Sequence, residues 1–150
     1  MKKILVVGLI SSFISAGAFA AACGTGGGAQ TVTAPTSSTG PTGEMCACAG
    51  GTSVKSTVNG GSGTVVATPV FVKTGFDVQC SANTLVSFNE VSGTAFAVSS
   101  GSTKGNQSFV GNSKGGAVAV SAKCSGTNDA CTPANVTTAN GLATTAASGS

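Results

Sequence analysis

Apolar and polar residues alternate with a period of two along much of this chain. In Phe76-Asp77-Val78-Gln79-Cys80 the even positions are apolar, and Val118, Val120, Ala122 and Cys124 repeat the pattern further on. Successive strand side chains point to opposite faces, so each segment reads as a half-buried strand whose cysteine continues the inward row. Runs rich in Val, Phe and Thr extend the reading to strands at 53–58, 64–73, 75–80, 84–89, 94–99, 107–110 and 116–124. Asn59-Gly60-Gly61 separates the first two, and Pro69 marks the second as an edge strand or a bulge. Gly101, Gly105, Gly111, Gly115 and Gly116 punctuate the later ones. A last hairpin is expected from 136–139 and 142–145 around Asn140-Gly141, the favoured pair of a type I′ turn. No stretch carries a sustained helical period with caps and breakers.

Strands at this spacing predict an all-β domain: an antiparallel β-sandwich or partly closed barrel with Greek-key, immunoglobulin-like connections. The Trp of antibody-type domains is absent, so the analogy is architectural only. The domain is expected to span 44–150. Before it, residues 21–43 form a low-complexity arm of Gly, Ser, Thr and Pro in which Val32 is the only bulky apolar residue. Such a segment cannot bury a face of its own. It reads as a flexible spacer or as an extended arm able to pair with another subunit, with Ala29, Val32 and Ala34 as the candidate subunit contacts.

The first twenty residues change where this domain is expected to work. Lys2 and Lys3 precede a short apolar core from Ile4 to Ile14, and Ala18-Phe19-Ala20 supplies a small-x-small cleavage site. This is the pattern of a secretory signal peptide, too short to span a bilayer, with cleavage expected after Ala20. The two-lysine style points to a bacterial source. Beyond residue 20, Lys55, Lys73, Lys104, Lys114 and Lys123 stand against Glu44, Asp77, Glu90 and Asp129, so the net charge falls from +3 to +1. All three Ile leave with the leader, and 15 Val, 5 Phe, 2 Leu and 1 Met remain as bulky apolar residues. That supports one modest core.

A thin core in an exported chain needs covalent help. Cys23, Cys46, Cys48, Cys80, Cys124 and Cys131 all lie past the cleavage site, an even number that predicts a disulfide framework. Cys80 and Cys124 both continue inward-facing rows and are expected to bond each other. Cys46 and Cys48 point to one face of an extended chain and reach separate partners, with Cys23 and Cys131 as candidates. A zinc site is disfavoured by the Cys46-Ala47-Cys48 and Cys124-to-Cys131 spacings. A lipid anchor at Cys23 is disfavoured too, because Ala20 stands where a lipobox carries Leu and acylation would strand an odd thiol.

Composition removes most chemistry. Gly, Ala, Ser and Thr supply 85 of the 150 residues, and His, Arg, Tyr and Trp are absent. There is no ordinary neutral-pH base, no imidazole ligand and no bidentate fork for phosphate, and five lysines make a poor nucleic-acid footprint. Lys73 or Lys123 beside a serine, a Lys73–Asn89 isopeptide bond next to Glu90, a phosphate loop in Gly24–Gly28 and a glycosylation acceptor at Asn135-Val136-Thr137 have no supporting spacing. No catalytic residue, metal or cofactor is expected, and the chain is not read as an enzyme. The expectation is an exported structural protein, a subunit of a pilus, filament or matrix fibre that self-associates into a homopolymer through β-strand contacts. A monomeric secreted or surface binding module is the alternative. In composition the chain resembles chaperone-assembled pilus subunits, which carry such an arm on an incomplete sandwich. It departs from them in lacking an alternating apolar donor segment.

Overall fold

The computed structural model describes Cys23 and residues 31–33, 43–59 and 71–149. The leader expected at 1–20, most of the arm and residues 64–70 of the strand expected at 64–73 lie outside the described residues, and 71–73 is not strand. Eight strands form two sheets. β1 (Thr31–Thr33), β3 (Val54–Asn59) and β4 (Phe76–Cys80) make a small sheet in the order β1-β3-β4, with β1 parallel to β3 and β4 antiparallel to it. β2 (Met45–Ala49), β5 (Thr84–Ser92), β6 (Ala95–Ser102), β7 (Gln107–Asn112) and β8 (Ala119–Lys123) make a five-stranded antiparallel sheet in the order β2-β5-β6-β7-β8. β5 to β8 run as an up-and-down meander. The sheets stack as a sandwich and do not close into a barrel.

The alternation written in the sequence sorts the large sheet into two unlike faces. One face meets the small sheet, and Met45, Ala47, Val58, Val72 and Phe88 form the core between them. Phe96 lies between two stacked neighbours there, Phe71 at 5.0 Å and Phe88 at 5.4 Å between ring centroids. Such offset aromatic contacts add to what their burial contributes. The other face carries Ala95, Ala97, Ser99 and Gly101, small side chains that let a third layer approach closely.

That layer is α1 (Pro133–Ser148), and it replaces the expected C-terminal hairpin. Its start is determined by local chemistry. Thr132 is the N-cap, Pro133 occupies the first turn, and Thr132 and Asn135 cap each other reciprocally. Val136, Ala139, Asn140, Ala143 and Ala147 then repeat at helical spacing and are all buried against the sheet. The stripe is made of alanines and one asparagine, so a search for bulky residues passes over it. Asn140-Gly141, read as a turn, lies inside the helix. Two hydrogen bonds tie α1 to the sheet, Ser99 Oγ donating to the Val136 carbonyl at 2.9 Å and Asn89 Nδ2 to Thr144 Oγ1 at 3.1 Å, while the buried Asn140 Nδ2 has no hydrogen-bond partner among the described residues.

The cysteines also pair differently from expectation. The bridges are Cys23–Cys46, Cys48–Cys80 and Cys124–Cys131, with no free cysteine. A Cys80–Cys124 bond would have to pass through the large sheet. Cys80 belongs to the small-sheet side, whereas Cys124 packs with Leu85, Cys131 and Val136 on the helix side. Two bulges cause the misreading. At Ala47 the register slips, so Cys46 pairs with Ser87 and Cys48 with Val86, which turns the two cysteines to opposite faces. At Ser121 the register slips again, pairing Ser108 with Ala122 but Phe109 with Val120. Val118 and Val120 thus face away from the helix while Ala122 and Cys124 face toward it. One extra residue reverses the side-chain parity of everything beyond it.

Candidate functional site

The strongest candidate is an open sheet edge. β7 and β8 are joined by residues 113–118, within which Gly115 (φ +107°) and Gly116 (φ +96°) adopt conformations that glycine reaches without strain. Past that turn the chain pairs on one side only: Val110 faces Ala119 and Phe109 faces Val120, and β8 ends the sheet. Among the described residues, the outer backbone edge of β8 has no strand beside it. Val118 is 71% exposed, Val120 51% and Phe109 37%. A Cβ placed on Gly111 would contact both Val118 Cγ2 and Val98 Cγ1, so Val98, Phe109, Val118 and Val120 share one face. Exposed apolar residues on an unpaired edge are what natural sheets ordinarily avoid.

Charge around this edge is sparse. Lys123 is the only charged residue of β8, and its ammonium lies 2.8 Å from Asp129. Asn128 and Asp129 hold left-handed backbone angles (φ 57° and 63°), and these place the Asp129 carboxylate under Lys123. Lys114 Nζ donates to the Gly149 carbonyl at 2.6 Å. A shallow groove of about 370 Å³ continues the same face, lined by Thr84, Ser100, Ser102, Asn106, Gln107 and Phe109. It contains no ionisable side chain.

The opposite edge is closed. Every residue of β2 is buried, Cys46 is bonded to Cys23, and Cys48 is bonded to Cys80. With its sulfur in that bridge, Cys23 has no thiol left for a lipid.

The other candidate residues are dispersed. Ala29 and Ala34 lie outside the described residues. The backbone of Thr31–Thr33, which includes Val32, pairs with β3 of its own chain. Asn89 faces α1 and Glu90 faces the small sheet, where its carboxylate accepts from the Val72 N–H at 2.8 Å, while Lys73 is exposed. No isopeptide geometry exists among these three. Burial holds the Glu90 carboxyl above its ordinary pKa, against hydrogen bonds from Val72 and Phe71 and the charge of Lys73 that lower it. Asn135 is occupied by capping, its amide donating to Ser125 Oγ at 3.1 Å, and Val136 is fully buried, so the glycosylation triplet is not presented. Asp77 is held below the usual carboxylate range by its hydrogen bonds from Lys55 and Thr57 and the Lys55 charge, on an exposed strand pair.

Among the described residues no cluster of three or more His, Cys, Asp or Glu has metal-binding geometry, and no helix is long and apolar enough to cross a membrane. Compared with protein-family models, with characterised proteins and with solved structures, the chain gives no significant match. The alternation seen in the sequence located β7 and β8 but assigned Val118 and Val120 to the interior. No sequence signal marks the Ser121 bulge that turns them out.

Proposed function

We propose that the chain is an exported structural protein, a non-catalytic subunit of an extracellular polymer that assembles through β-strand contacts. The observation that carries this reading is the exposed, nearly uncharged apolar edge at β8 on a domain closed by three disulfides. An unpaired row of backbone donors and acceptors flanked by Val118, Val120 and Phe109 is suited to accept a strand from a neighbour. The leader pattern at 1–20 and the full use of the cysteines in bridges agree with an oxidising, extracytoplasmic destination.

The contact moves from the arm to the edge. Cys23 is tied to Cys46, and Thr31–Thr33 is paired with β3, so part of the arm's backbone is engaged within its own subunit. Electron microscopy of surface-sheared material and of the purified oxidised protein tests the reading. Fibres are expected, and a monodisperse monomer at all concentrations overturns it. The alternative, a monomeric binding module, rests on the uncharged groove beside Phe109. Saturable binding of a neutral ligand by such a monomer, lost in Phe109→Ala, would favour it.

A further inference from the structure

We propose that β8 pairs with β8 of a second copy, antiparallel about a twofold axis at Ala119, joining two five-stranded sheets into one of ten strands. This deepens the polymer reading above and rests on it: the pair is a closed unit, and a fibre needs a second, different contact to propagate.

Three observations identify the occupant as another copy. The large sheet has two edges, and β2 is closed by burial and two bridges, so β8 of one copy finds no open β2 on another. Continuation of this sheet therefore joins like edges. The register is also self-complementary. Centred on Ala119, it sets Val118 against Val120 of the other copy and Ala117 against Ser121, using only chain N-terminal to the bulge register step at Phe109 and Val120 or at its margin. The valines of both copies then lie on the same face as the two Phe109 rings and form one apolar strip across the junction. Finally, charge does not oppose the approach. Lys123, beyond the bulge, comes near Lys114 of the other copy, but it is ion-paired with Asp129 of its own subunit, and Lys114 donates to the Gly149 carbonyl. Directly apposed like charges, which would destabilise cross-strand pairing, are absent from the register.

The test uses the oxidised chain lacking residues 1–20. Sedimentation velocity is expected to give a dimer, and Val120→Lys to give a monomer that still unfolds cooperatively with all three bridges intact. Ala119→Cys adds a single free thiol at the twofold, where opposed Cα atoms of an antiparallel pair lie within disulfide reach. Under mild oxidation with diamide it is expected to form a covalent dimer whose peptide map joins residue 119 to residue 119. Thr137→Cys, on the exposed face of α1, is expected to give no disulfide-linked dimer under the same oxidation. Failure of the 119–119 link, or a dimer that survives Val120→Lys, overturns the pairing. Fibres formed without that link overturn this register and leave the polymer reading in place. Linked dimers without fibres under any condition support the pairing and overturn the polymer.

Discussion

The two edges of the five-stranded sheet are strands of the same length and similar small-residue content, Met45-Cys-Ala-Cys-Ala49 and Ala119-Val-Ser-Ala-Lys123. One is buried at every position, while the other is exposed at four and half-buried at one. Strand chemistry does not explain the difference. β2 is closed because a bulge turns its two cysteines to opposite faces, so that each ties down a different flanking segment. β8 also has a bulge, but its effect is to turn Val118 and Val120 outward, and the cysteine that follows is bonded to Cys131, just ahead of the N-cap of α1. A bulge between two cysteines closes one edge, and a bulge that follows two valines and turns them outward leaves the other open.

The largest expected effect comes from undoing the closed edge. Replacing Cys48 and Cys80 together by Ala removes a bridge spanning 32 residues and should cost about 3–4 kcal/mol in a urea melt. Replacing Cys124 and Cys131, separated by 7, should cost about 2.5 kcal/mol on the same loop-entropy argument. Equal losses would mean that the first bridge contributes nothing through its length. Next comes the layer under α1, where a Cβ on Gly101 would lie 3.1 Å from Cys131 Cβ and 3.2 Å from Val136 Cγ2. Gly101→Val should destabilise by roughly 1–3 kcal/mol through overpacking. A neutral result would show that the helix does not sit this close.

Smaller changes sharpen the contrast between interior and surface. Gly141 occupies a mid-helix position with open space around it, and Gly141→Ala should raise stability by about 0.5–1 kcal/mol. If α1 were instead the hairpin suggested by Asn140-Gly141, the same substitution would destabilise. Glu90 gives an effect read as a slope. Its folded pKa lies above the ordinary 4.5, so its contribution is fully present below that value and is lost as pH rises through the folded pKa. Glu90→Gln keeps an acceptor for the Val72 N–H and should remove this fall. A parallel pH profile for wild type and variant would show that the carboxyl is not perturbed.

Much of the fold is legible in the sequence because period-two alternation is strong where strands are long. β4 to β7 fall where Val, Phe and Thr alternate with polar residues, and the stacking of two sheets follows from their number. The misses share a physical cause in small side chains. β2 is hidden in Cys-Ala-Cys-Ala, which lacks the bulky residues that mark a strand, and α1 is hidden in a stripe of alanines. Thr132-Pro133-Ala134-Asn135 did carry a helix-start signal, overshadowed by the turn preference of Asn140-Gly141. The bulges at Ala47 and Ser121 leave no compositional trace, so the cysteine pairing and the outward edge were beyond any reading of periodicity.

The first two bridges also determine how the chain would carry a pull. Force applied between its two ends enters at Cys23, crosses to Cys46, passes only Ala47, and crosses again from Cys48 to Cys80. Residues 24–45 and 49–79 are thereby excluded from the covalent load path while both bridges are intact. At about 3.5 Å per extended residue they represent roughly 180 Å of contour that stretching cannot release. Under tension the segment from Cys23 to Cys80 therefore behaves as a short inextensible link, and the length that unfolding releases comes from chain beyond Cys80 outside the loop closed by Cys124 and Cys131.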